Sequence, residues 1–202
     1  MKYVNQLEHR YLRYVSNITH PEKDHMRVGT FARSGCGLSS LIMVADRLLP
    51  NYQFELLDAV HLSYDTVANR LAGTDMRYIA PVFAYKFGLE MQFSEKIEDV
   101  IHCVTTGGAA IALSRGDREG YTGVFTHGGH YVTVVGQDRQ GRLMILDPSW
   151  TETKFEEPGR EGKVEVKDKL CFCVPEVLDE DCKHRDDFYL NSTPSYCLFW
   201  RR

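Results

Sequence analysis

Ser34-Gly35-Cys36-Gly37-Leu38-Ser39-Ser40-Leu41-Ile42-Met43-Val44-Ala45 places a thiol at the start of what reads as an amphipathic helix. From 37 to 49 the apolar residues Leu38, Leu41, Ile42, Ala45, Leu48 and Leu49 recur at helical spacing, with Ser39, Ser40, Asp46 and Arg47 toward the other side. Pro50 ends the run. The content is apolar enough for a buried central helix, which would hold Cys36 on a rigid support. Helix starts carry unpaired amide N–H groups and the positive end of the dipole, so a thiolate there is stabilised. The flanking glycines leave room for a substrate backbone.

A thiolate nucleophile needs a base, and the base an orienting group. The chain offers both on its clearest hairpin, Tyr131-Val132-Thr133-Val134-Val135-Gly136 followed by Leu143-Met144-Ile145-Leu146-Asp147-Pro148. With the turn at 138–141 and Gln137 paired to Arg142, Val132 falls opposite Asp147 and His130 opposite Ser149. Side chains alternate, so His130, Asp147 and Ser149 then share one face, with His130 and Asp147 as diagonal neighbours. A single bulge would turn them to opposite faces. His127 is a competing base on the opposite side of an extended strand, and Asp138 a competing acid at the turn. Taken singly, His130 also reads as a hydrogen-bonded strand residue and Asp147 as a turn former before Pro148.

At 202 residues the chain suits one domain, 1–202, that buries about 70% of its unfolded surface. Its 43% hydrophobic and 26% charged residues are those of a globular protein, and a net charge of -4 gives no basic footprint for nucleic acid. The opening Met1-Lys2-Tyr3-Val4-Asn5-Gln6 is polar and no run has the length of a membrane span or signal core, so the chain as written reads as cytoplasmic. A secreted or tethered protein whose leader had been removed would read the same. The sequence carries no sign of oligomeric state.

Helices are expected around 65–71, 76–87 and 94–105, the second weakened by Pro81 and the third capped by Ser94. Residues 109–113 read as a buried strand, 114–129 as a glycine-rich loop, 151–169 as a solvated charged excursion, and 170–174 and 196–200 as short strands. Helices first and strands later indicate α+β. The six cysteines lack the density of a disulfide scaffold, and Cys103 and Cys197 read as core. Cys171, Cys173, Cys182 and His184 have zinc-ligand chemistry at unusual spacing, which buried core cysteines explain as well.

Three motifs together resemble the papain-like cysteine peptidases similar to the bacteriocin-leader-processing enzymes and their stand-alone relatives. The Ser-Gly-Cys-Gly helix start resembles their nucleophile site, Gly128-Gly129-His130-Tyr131-Val132 with Val135-Gly136 their histidine strand, and Leu146-Asp147-Pro148 their aspartate motif, all in the family's order. Leu38-Ser39 stands where Pro-Thr often follows the nucleophile. The resemblance implies a papain-like α+β fold with the nucleophile at a central helix start. It implies Cys36 as nucleophile, His130 as base then acid, Asp147 as orienter, no cofactor, no metal, and a peptide or other amide as substrate.

It also implies a glutamine donating to the oxyanion. Where transporter-linked members carry it, six residues before the cysteine, this chain has Thr30; the stand-alone segment Gln-x-x-x-Arg-Trp resembles Gln6-Leu7-Glu8-His9-Arg10-Tyr11, which makes Gln6 the candidate. The longer interval to Cys36 reads as an insertion around 17–25. A papain-like binding module without turnover is the alternative reading.

Overall fold

The computed structural model describes residues 1–15, 29–70 and 73–202, so the insertion read around 17–25 lies outside the described residues. A short helix α1 (Phe31–Ser34) stops at Gly35, and α2 (Cys36–Leu48) begins directly after it. α2 is buried from Cys36 through Ala45, Ser39 and Ser40 included, and packs across the middle of the sheet. The burial of Leu38, Leu41, Ile42 and Leu48 is worth roughly 1.5–3 kcal/mol apiece. This apolar face anchors the thiol-bearing end.

The glycines beside Cys36 allow close packing at the helix start. A Cβ on Gly35 would lie 2.5 Å from the Phe31 carbonyl oxygen, and one on Gly37 would lie 2.8 Å from Met76 Cε and 3.2 Å from Tyr131 Cδ2. Their missing side chains let the helix start close onto α1 and onto the histidine strand.

Three more helices complete the first half: α3 (Leu56–Asp65), α4 (Met76–Phe87) and, after strand β1 (Leu89–Ser94), α5 (Ile97–Thr105). The helix expected at 65–71 instead ends at Asp65. Glu55 and Asp58 form a capping box that starts α3 nine residues earlier, at Leu56, and Val67 has left-handed backbone just beyond its end. α4 matches its expected span despite Pro81, with Asp75 capping the first turn and Gly88 closing the last in left-handed conformation. Ser94 belongs to β1 and not to the next helix, although its Oγ accepts from the Lys96 N–H at 3.0 Å and donates to Asp99 at 2.6 Å. β1 was legible as the alternation Leu89, Met91, Phe93.

The remaining strands are β2 (Ala109–Ser114), β3 (His130–Gln137), β4 (Leu143–Leu146), β5 (Glu165–Lys167), β6 (Leu170–Cys173) and β7 (Tyr196–Arg201), with helices α6 (Pro175–Cys182) and α7 (Phe188–Asn191) between the last two. All seven strands join one antiparallel sheet in the order β1-β7-β2-β3-β4-β6-β5. Alternation divides it into two cores. Ile111, Leu113, Tyr131 and Phe199 face α2 to α4, while Ala110, Ala112, Val132, Val134 and Ile145 face α5 and α6. The fold is α+β, helical first and sheet later, as expected.

The charged stretch 151–169 is not a solvated excursion throughout. A 3-10 turn, Lys154–Glu156, returns to the second core, with Phe155 edge-on to Phe125 at 5.7 Å. Lys154 and Arg160 are buried, and Arg160 Nε donates to the Gly123 carbonyl at 2.7 Å. All six cysteines are buried and unbridged. No helix among the described residues is long and apolar enough to cross a membrane.

Candidate active site

The hairpin reaches its final register by two shifts that cancel. Asp138 pairs with Arg142, so the loop is Arg139-Gln140-Gly141, with Gly141 at φ +81° as a three-residue hairpin demands. That moves Gln137 onto Leu143, one residue from the expected Arg142. A bulge between Val134 and Gly136 then restores the count, giving Val134 opposite Ile145 and Thr133 opposite Leu146. Continuing the ladder sets Val132 opposite Asp147, the pairing that the expected register also implied. The bulge expected to separate His130 from Asp147 is what brings them together.

His130 Nε2 lies 2.8 Å from Asp147 Oδ1, with Asp147 fully buried and His130 nearly so. Ser149 closes the same group: its Oγ is 3.0 Å from His130 Nε2, and its Oγ and backbone N–H both donate to Asp147 Oδ1. Lys154 Nζ binds the other carboxylate oxygen at 2.5 Å and donates to Ser149 Oγ at 2.7 Å. The Tyr3 hydroxyl donates to the Asp147 carbonyl at 2.7 Å, tying the N-terminal segment to this turn. Nε2 being engaged, Nδ1 is the ring nitrogen left for the Cys36 thiol, which lines the same cleft as His130.

Electrostatics follow from these partners. Burial alone would raise the Cys36 pKa; the hydrogen bond and positive charge of His130, with amide bonds from Tyr131 and Gly37, outweigh it and bring the thiol below its ordinary value. Burial alone would keep His130 neutral, but the hydrogen bond and charge of Asp147 and the bond to Cys36 raise its pKa, opposed in part by Lys154. Asp147 is held far below the usual carboxylate range: desolvation is overcome by the Lys154 charge and by His130. The other thiols move the opposite way. Burial pushes Cys103 and Cys173 up to about 12, and Cys171, Cys182 and Cys197 are raised as well. Cys36 is thus the thiol whose surroundings favour the thiolate.

Gln6 is buried in the first 3-10 turn, Gln6–Glu8, where its N–H donates to the Pro148 carbonyl at 2.7 Å. Its Nε2 donates to the Ala32 carbonyl at 2.8 Å, while Oε1 is buried without a partner. Ala32 stands four residues before Cys36, so an unbroken helix would give that carbonyl to the Cys36 N–H. Gln6 takes it instead, which brings its amide beside the break at Gly35. The competing groups lie elsewhere. His127 is exposed between Asp117 and Glu157, and Asp138 is engaged by Arg142 at the hairpin turn.

A cleft of about 330 Å³ opens over Cys36 and His130. Its lining includes Arg70, Thr74, Asp75, Leu113, Arg185 and Leu190. Cys171, Cys173, Cys182 and His184 do not converge: among the described residues no group of three or more His, Cys, Asp or Glu side chains is placed to hold a metal ion. Ser149 shared the expected face but carried no assigned role. Lys154 gave no sequence signal, being one lysine in a charged run.

No family model matches the chain, and no curated protein matches it in sequence. Its fold is similar to that of a chain from Bacillus anthracis classed as a C39-like peptidase, with a TM-score of 0.52 at 12% identity over 100% of this chain and 99% of that one. It also matches the peptidase domain of Streptococcus ComA, a bi-functional ABC transporter involved in a quorum-sensing pathway, with a TM-score of 0.48 at 15% identity over 95% of this chain and 100% of that one. The fold is therefore papain-like α+β, like that of the Bacillus anthracis chain.

Proposed function

We propose that residues 1–202 form one papain-like cysteine peptidase domain, related to the bacteriocin-leader-processing enzymes, that hydrolyses a peptide or other amide through a thioester. The observation that carries this reading is the 2.8 Å contact of His130 Nε2 with a buried Asp147, on a ring that lines the same cleft as Cys36. In this reading the Cys36 thiolate attacks the scissile carbonyl and the amide C–N bond breaks as the His130 imidazolium passes its proton to the leaving amine. Water, deprotonated by the now neutral His130, then cleaves the thioester and releases the acid. Asp147 holds the ring throughout. The Cys36 N–H, in the first turn of α2, and Gln6 Nε2 bind the developing oxyanion.

The test is alkylation of each thiol as a function of pH, read by mass spectrometry, alongside hydrolysis of a peptide library. Cys36 is expected to react faster than the other five thiols and below its ordinary pKa, to lose that advantage in His130→Ala, and to support peptide cleavage. Slow, uniform labelling without cleavage would replace the peptidase by a silent binding module on the same fold.

A further inference from the structure

Asp147 carries two cationic partners on its two oxygens, and only one of them is explained by the triad. His130 takes Oδ1; Lys154 takes Oδ2 and reaches Ser149 Oγ, which itself touches His130 Nε2. Lys154 is about as buried as the ring it approaches, and its backbone carbonyl accepts from Arg160 Nη1 at 3.4 Å, which fastens its 3-10 turn to the loop behind the site. A buried ammonium one hydroxyl away from a catalytic imidazole is costly unless its charge is used or matched. Here it is matched: with Cys36 as thiolate and His130 as imidazolium, the four groups sum to zero charge.

We infer that Lys154 is a positioning residue for the Cys36–His130 pair, clamping Asp147 and Ser149 against the ring and offsetting the Asp147 charge so that the imidazolium can release its proton during the reaction. The inference rests on the peptidase reading and assigns the clamp that sets its working pH. Without Lys154, Asp147 would hold the imidazolium proton unopposed, and the site would carry one net negative charge that disfavours the thiolate. Removing a positive charge from a buried cluster raises the pKa of every acid in it. Both limbs of the pH profile therefore move to higher pH.

The other titratable or charged groups facing this cluster are few among the described residues. Tyr3, from the N-terminal segment, and Cys171, from β6, are both pushed upward by burial and by the Asp147 charge, so both are neutral across the working range. Arg160 is paired with Glu157 at 3.0 Å. None of these can replace the Lys154 charge on Oδ2.

The experiment compares wild type, Lys154→Met, Lys154→Gln and Lys154→Arg. It follows the pH dependence of Cys36 alkylation and of His130 titration by NMR, with thermal melts to verify folding. Both neutral variants are expected to show limbs displaced upward by about one pH unit, while Lys154→Arg retains the wild-type limbs. A lowered plateau with unmoved limbs in the neutral variants would overturn the inference, as would loss of folding in both, since Lys154 would then be structural. Neither readout needs a substrate, so the two readings fail separately. A wild type with an activated Cys36 that cleaves no peptide removes the peptidase reading and leaves the limbs to decide the role of Lys154. Unmoved limbs with normal cleavage remove the role of Lys154 alone.

Discussion

Two aspartates in this protein, Asp147 and Asp181, are fully buried, and their partners make them different things. Asp181, near the end of α6, accepts the backbone N–H groups of Val124 and Phe125 at 2.6 and 3.1 Å, the Tyr121 hydroxyl at 3.0 Å and the Ser114 hydroxyl. All four donors are neutral and fixed, three of them on the loop between β2 and β3. Asp147 is bonded to an imidazole and an ammonium, and the imidazole meets a thiol. Equal burial thus sets one carboxylate among fixed neutral donors and the other among groups that can titrate. What separates them is whether the partners can change protonation, which is why perturbed groups in a cleft indicate chemistry more reliably than buried charge alone.

The comparison can be broken by substitution. Cys36→Ala should lower peptide turnover by on the order of 10⁴-fold or more while leaving the melting temperature nearly unchanged, because the nucleophile acts within a coupled unit. Asp147→Asn preserves size but not charge, and turnover should drop by on the order of 10³–10⁴-fold. If that variant kept its rate, Asp147 would be a staple like Asp181. Gln6→Ala should reduce turnover by about 10²–10³-fold without altering Cys36 alkylation, since an oxyanion donor acts after the thiolate has formed. Retention of full turnover would send the search to another donor.

On the staple side, Asp181→Asn should cost about 2–3 kcal/mol in denaturant unfolding, because an amide must present N–H groups to donors that need an acceptor. The pH profile of Cys36 alkylation should stay where it is; a displaced profile would show that the loop communicates with the site and would erase the contrast. The smallest effect concerns acid stability. The Asp147 pKa is depressed in the folded protein, so its contribution is present above the unfolded value of about 3.9 and is lost as pH falls toward the folded one. Below pH ~4, urea midpoints should decline more steeply for wild type than for Asp147→Asn. Equal slopes would mean that the carboxylate is not held ionised by its neighbours.

Much of this was legible from local pattern. The α2 stripe, the 76–87 helix, the Ala109 strand and the alternation of β3 and β4 all reflect periods carried by neighbouring residues. The α3 boundary was missed because Glu55 and Asp58 make a capping box without Ser or Thr at its head, and β1 because its alternation was not separated from the helix after it. The hairpin shows a different limit. Its turn and its bulge each displace the register by one residue in opposite senses, so the right pairing follows from a count that neglects both.

The sequence by itself determined that a thiol begins a buried helix, that a histidine on one hairpin strand and an aspartate at the end of its partner follow in a set order, and that the chain is α+β. These depend on residue type and short-range spacing, which the one-dimensional text contains. Only the tertiary structure decided that Lys154 and Ser149 join Asp147, that Gln6 takes the Ala32 carbonyl, and that five of the six thiols are held in surroundings that disfavour ionisation. Such contacts arise where segments distant in the chain return to one place. The strength of each depends on burial and on what else is packed there, and neither quantity exists before the chain has folded.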